Sequence, residues 1–140
     1  MQPSRAGATV IETWSGLPER FPTIQLICFV LMPNHIHGVI AITRGSITGR
    51  KGGASPAPTK AGPKLAAIVG AFKLVSAIAV NRVLGCKGTT VWQRNYYEHI
   101  VRDGKSLRAI CRCVEENPAH WNSGVDIPAD AHFPMKVLRT

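Results

Sequence analysis

Acidic side chains are scarce in this chain: 8 Asp and Glu stand against 17 Lys and Arg, a formal net charge of +9 over 140 residues. The positive excess is spread along the sequence rather than gathered in a tail, and it favours a polyanionic partner, nucleic acid first. Cysteine spacing is equally telling, because Cys28, Cys86, Cys111 and Cys113 form no C-x-x-C pair and follow no signal-peptide pattern. Reduced thiols in a cytoplasmic, bacterial-type cell compartment are therefore expected. No run at 24–32 reaches a bilayer span, since Gln25 interrupts it and Pro33 stops it, well short of about 20 residues. No membrane partner is expected, and the length suits one domain with a single modest core.

Within that domain the core is expected over 9–121, a flexible basic loop with Arg50, Lys51 and Lys60 over 45–63, and an irregular tail over 122–140. Residues 9–14 read as a short amphipathic helix or an edge strand. Residues 24–32 and 35–43 read as two strands joined tightly through Pro33 and Asn34. Leu65, Ile68, Val69, Phe72, Val75 and Ala79 recur at helical spacing and predict a long amphipathic helix over 64–84. Lys64 and Arg82 flank one edge of its apolar stripe and Lys73 the other, as candidate DNA contacts. Residues 91–101, rich in aromatic and β-branched types, predict a third strand with irregular flanks. Asp103 or Ser106 can cap a last helix, with apolar positions at Leu107, Ile110, Cys111 and Val114 and a stop at Pro118. The order predicts an α+β layer of helices on an antiparallel sheet.

The chemistry concentrates in Met32-Pro33-Asn34-His35-Ile36-His37-Gly38-Val39-Ile40. Alternate residues of a strand share a face, so His35 and His37 can present two imidazoles toward one point, as a metal site requires. A structural zinc site using these two and Cys28 is one reading, although no ligand spacing supports it. Arg94, Tyr96, Tyr97, His99 and Arg102 lie on a segment suited to holding a nucleic-acid strand.

Four segments then carry a family resemblance. They are Val30-Leu-Met-Pro-Asn-His-Ile-His-Gly-Val-Ile40, Ile68-Val-Gly-Ala-Phe-Lys73, Val91-Trp-Gln-Arg-Asn-Tyr-Tyr-Glu-His-Ile-Val-Arg-Asp103 and Val114-Glu-Glu-Asn-Pro-Ala-His-Trp121. In this order they resemble the REP-associated tyrosine transposases, single-strand DNA transposases of the HUH endonuclease superfamily. The resemblance implies a ferredoxin-like antiparallel sheet with helices packed on one face. It implies DNA transposition by metal-dependent cleavage and rejoining of single-stranded or hairpin DNA, with Mg²⁺ or Mn²⁺ at His35 and His37. A tyrosine on the last helix serves as nucleophile in that family, within a Tyr-Ile-x-x-Asn-Pro pattern. The matching stretch here begins at Cys113, leaving Asn117 as the implied third metal partner.

Two departures stand beside the resemblance. Cys113 occupies the nucleophile position, so cleavage is expected to be impaired while DNA binding persists, with Tyr96 and Tyr97 as less favoured alternative nucleophiles. The family's leading strand also has no counterpart before residue 9, so the sheet is expected to lack its first strand and expose an edge. An impaired transposase or a non-catalytic binder of palindromic or hairpin DNA, a repressor or a domesticated remnant, both fit. Related proteins occur as monomers and dimers, which leaves a homodimer open.

Overall fold

The strand that organises the molecule has apolar residues on both of its faces. The computed structural model describes residues 3–43, 63–121 and 135–139. Its elements run α1 (Arg5–Ser15), α2 (Leu17–Arg20), β1 (Ile24–Leu31), β2 (Ile36–Ile42), α3 (Leu65–Leu84), β3 (Glu98–Val101), α4 (Gly104–Trp121) and β4 (Met135–Arg139). From His37 to Ile42, β2 is buried throughout. Ile40 and Ile42 pack with Val10, Trp14 and Leu17 of α1 and α2 and with Ile68, Val69 and Phe72 of α3. Val39 and Ala41 turn to the opposite side and pack with Val101, Leu107, Ile110 and Cys111.

This is an α+β architecture, with α1, α2 and α3 layered on one face of the sheet as the sequence indicates. The structure adds α4 on the other face. Strand order is β1-β2-β4-β3, and the chirality of the connections accounts for the second layer. From β2 through α3 the chain moves two places across the sheet; from β3 through α4 it moves one place back. Right-handed crossovers travelling in opposite directions place their helices on opposite faces.

Among the described residues no strand precedes α1, and a strand from the C-terminal segment completes the sheet. A split β-α-β arrangement leaves a slot between β2 and β3, and β4 fills it, parallel to both. Only β1 and β2 pair antiparallel. Part of the segment expected to be an irregular tail is thus a central strand. The rest of that tail, at 122–134 and 140, and the basic loop up to residue 62 with Arg50, Lys51 and Lys60 lie outside the described residues.

Local signals fix several boundaries. Ser4 caps α1, its hydroxyl accepting the Gly7 N–H at 3.1 Å, so the helix starts ahead of residue 9. Asp103 caps α4 by accepting the Ser106 N–H at 2.7 Å and the Ser106 hydroxyl at 2.6 Å. Those bonds hold the Asp103 carboxyl below its usual range. Gly85 ends α3 in the left-handed region at φ 67°. Pro118 does not stop α4, which continues to Trp121. A proline removes one N–H and crowds the carbonyl four residues back, a cost confined here to the final turn. α3 is long and apolar enough to cross a membrane by length and composition, but its Leu65, Ile68, Val69 and Phe72 side is core of this domain.

In β1, Leu26 pairs with Ile40 and Cys28 with Val39, leaving Ile27 as a bulge. Leu26 and Phe29 therefore pack with the α1/α3 core while Ile27 and Cys28 join the α4 side. Gly38, opposite Phe29, lets Trp14 settle on the strand backbone. The Trp14 ring stacks on Phe29 at 4.7 Å and meets Phe72 edge-on at 5.5 Å. A Cβ on Gly38 would lie 2.3 Å from Trp14 Cη2. Gly38→Ala is therefore expected to destabilise the fold by about 1–3 kcal/mol through overpacking. A urea melt reads this as a lower midpoint at unchanged slope, and an unmoved midpoint would contradict the close approach.

Candidate metal and nucleic-acid site

The imidazoles of His35 and His37 meet at the start of β2. His37 is buried and His35 half-buried, with their rings edge-on at a centroid separation of 4.7 Å. The two Nε2 atoms are 2.9 Å apart, and His35 Nδ1 lies 2.5 Å from Asn34 Oδ1. A carbonyl oxygen can only accept, so Asn34 places the His35 proton on Nδ1 and leaves the Nε2 lone pair facing His37. His37 Nε2–H then donates to it. For both rings to serve a cation, the His37 proton must move to Nδ1 or leave.

The spacing suits a shared ion. Two donors about 2.1 Å from an octahedral cation and at right angles sit about 3.0 Å apart. Among the described residues no group of three or more His, Cys, Asp and Glu converges, so within them the two imidazoles stand as a pair. Two imidazoles also weigh toward Mn²⁺ over the strictly oxygen-preferring Mg²⁺. From sequence alone Asn34 is only part of a turn. Its bond to His35 is the kind of outer contact that sets a ligand's tautomer.

α4 brings the other half. It follows the Val101 end of β3, and its Leu107, Ile110 and Cys111 pack on Val39, Ala41 and Val101. Cys28, opposite Val39 in the sheet, packs with Cys111 of α4. The helix thus descends toward the His37 end. Asn117 lies about 9 Å beyond Cys111 along the helix, against about 7 Å from Val39 to His37 along the strand. The Cys111 and Glu115 flank is turned to β1. Ile110, Cys113 and Asn117 share another flank of the helix, with Asn117 half-buried and Cys113 exposed.

A third group comes from the approach to β3. Val39, Lys136 and His99 are abreast across β2, β4 and β3, and Tyr97 immediately precedes β3. His99 and Tyr97 are both exposed. Tyr96 sits closer to the body of the protein, where burial and Glu98 hold its phenol above the ordinary range. That environment works against Tyr96 as an activated nucleophile.

The five candidate DNA cations do not form one patch. Lys64 and Arg82 are exposed at opposite ends of α3. Arg94 is exposed beside Tyr96 and Tyr97, whereas Arg102 follows the far end of β3. Lys73 is engaged within the fold, donating to the backbone carbonyls of Gln93 at 3.0 Å and Asn95 at 2.5 Å. Burial lowers its pKa. An amphipathic pattern could not show this, because the acceptors lie on a distant loop.

Among the described residues Cys28 forms no group of three with the histidines that could hold a metal ion; it packs instead with Val39 and Cys111, and burial first, then Cys111, pushes its thiol up to about 12.

Against known proteins, the chain is 36% identical over 129 residues to an uncharacterized protein of Haemophilus influenzae (strain Rd), covering 86% of this chain and 69% of the relative. The chain belongs to the family of that protein. No family model matches it, and no solved structure does.

Two outcomes are expected from this geometry. Asn34→Ala should weaken Mn²⁺ binding, followed by electron paramagnetic resonance titration, by about 10–100-fold, the usual effect of losing an outer-shell partner. An unchanged titration would remove Asn34 from the site. Alkylation with iodoacetamide at pH 8 should modify exposed Cys86 and Cys113 well before Cys28, whose thiol stays protonated, as peptide mass mapping can read.

Proposed function

We propose that this protein is a single-strand DNA-binding protein of the REP-associated tyrosine transposase type, retaining a divalent-metal centre at His35, His37 and Asn117 but impaired in strand cleavage. The observation that carries this reading is the meeting of the His35 and His37 Nε2 atoms at 2.9 Å, at the end of the sheet toward which the Cys113 and Asn117 flank of α4 descends.

Each residue has a defined part. His35 and His37 hold the ion through neutral Nε2, with Asn34 orienting the first of them, and Asn117 supplies an amide oxygen. When bound, the ion, Mn²⁺ or Mg²⁺, neutralises charge building on the scissile phosphate. Arg94 and the general positive charge draw in the strand. Cys113 stands where attack on phosphorus would start. A thiol is several ångströms shorter than a phenol in reach, and a soft thiolate suits a phosphodiester poorly. The site therefore supports binding of palindromic single strands without efficient strand transfer. The thiol of Cys113 in place of a phenol favours the non-catalytic form of this reading, a hairpin-DNA binder.

The test compares wild type with Cys113→Tyr on palindromic single-stranded DNA with Mn²⁺. Wild type should bind the hairpin and give no covalent adduct, while Cys113→Tyr should yield a denaturant-resistant protein–DNA adduct that His37→Ala abolishes. Wild-type cleavage untouched by Cys113→Ala but lost in Tyr97→Phe would contradict the assigned nucleophile position. Absence of hairpin binding by wild type would contradict the function.

A further inference from the structure

Beyond the histidines, the loop at 92–97 is tied to α3 by several contacts. Trp92 enters the core beside Phe72, with ring centroids 5.4 Å apart, and its Nε1–H donates to the buried Ser76 hydroxyl at 2.9 Å. Asn95 takes a positive φ of 65°, rare for a residue with a side chain. The Lys73 ammonium bridges the Gln93 and Asn95 carbonyls and stands 5.9 Å from the centre of the Tyr96 ring. A loop tied down at three points by a core helix then presents its next aromatic outward. Tyr97 is 55% exposed, against 38% for Tyr96, and it joins neither hydrophobic cluster among the described residues.

We propose that this loop is a seat for one unpaired base of a DNA single strand, with the Tyr97 ring as stacking surface, Arg94 as phosphate partner and Lys73 as positioning residue. The inference rests on reading the His35/His37 centre as a DNA site, and it assigns where the strand lies beside that centre. Base stacking on an aromatic face suits an unpaired nucleotide and tolerates any sequence. A seat built before binding avoids the entropy of ordering a loop. The loop leads directly into β3, in the same sheet as the His35/His37 strand. Lys73 acts through the loop backbone and makes no phosphate contact.

The experiment uses the full chain and two hairpins that differ at one unpaired position beside the stem, carrying 2-aminopurine in one and an abasic residue in the other. Wild type should prefer the base-bearing hairpin by about tenfold, within the range of one aromatic–base stack, and quench its fluorescence. Tyr97→Phe should keep the preference and Tyr97→Ala should lose it. Lys73→Met should also lose it while leaving the dependence of affinity on salt as in wild type, since no phosphate contact is removed. A full preference in Tyr97→Ala, or a shallower salt dependence in Lys73→Met, would overturn the proposal. Failure of wild type to bind either hairpin would bring down the DNA reading of the histidine centre, and this inference with it. Binding with a silent Tyr97→Ala would bring down this inference alone.

Discussion

The alternation of β2 is the constraint on which the other parts depend. Ile40 and Ile42 are committed to the α1/α3 core, and Val39 and Ala41 to α4. Both sets are apolar, so burial alone would not choose between the two registers. Gly38 breaks the tie, because Trp14 comes within 2.3 Å of where its Cβ would be and no other residue offers that space. With Gly38 fixed toward α1, His37 must face the α4 side. The position of the candidate metal ligand thus follows from a packing contact on the opposite face of the sheet.

The second constraint is handedness. Because α3 and α4 cross the sheet in opposite directions, the right-handed rule puts them on opposite faces, and α4 descends over the side that His37 shares. The sheet then divides its labour. One face is a close-packed core around Trp14, Phe29 and Phe72. The other packs Val39, Ala41 and Val101 against Leu107, Ile110 and Cys111 of α4, with His37 on the same face.

Much of this was legible in the residues, and what was not has physical causes. The helix at Leu65–Leu84, the β1–β2 pair and the Asp103 cap are local patterns, and local patterns survive in sequence. β4 is different: Met135–Arg139 is a strand because β2 and β3 leave a slot for it, a decision made by residues far away in the chain. The bulge at Ile27 likewise depends on which side chains the two helical layers accept. At the site, the histidine pair announced itself by its spacing, whereas Asn34 and Lys73 did not. Asn34 is an ordinary turn residue until its oxygen is seen against His35, and Lys73 an ordinary helix cation until the Gln93 and Asn95 carbonyls are placed around it.

The central claim is spatial: one divalent ion at His35 and His37 has the Cys113–Asn117 turn on one side and Tyr97 on another. Paramagnetic relaxation measured by nuclear magnetic resonance with substoichiometric Mn²⁺ tests it directly. Amides at 34–38, 96–99 and 113–117 should broaden together, and those of α1 near Arg5 and of the α3 C-terminus near Gly85 should stay sharp. Broadening centred on any other region, or confined to 34–38 with 96–99 and 113–117 unaffected, would contradict the account.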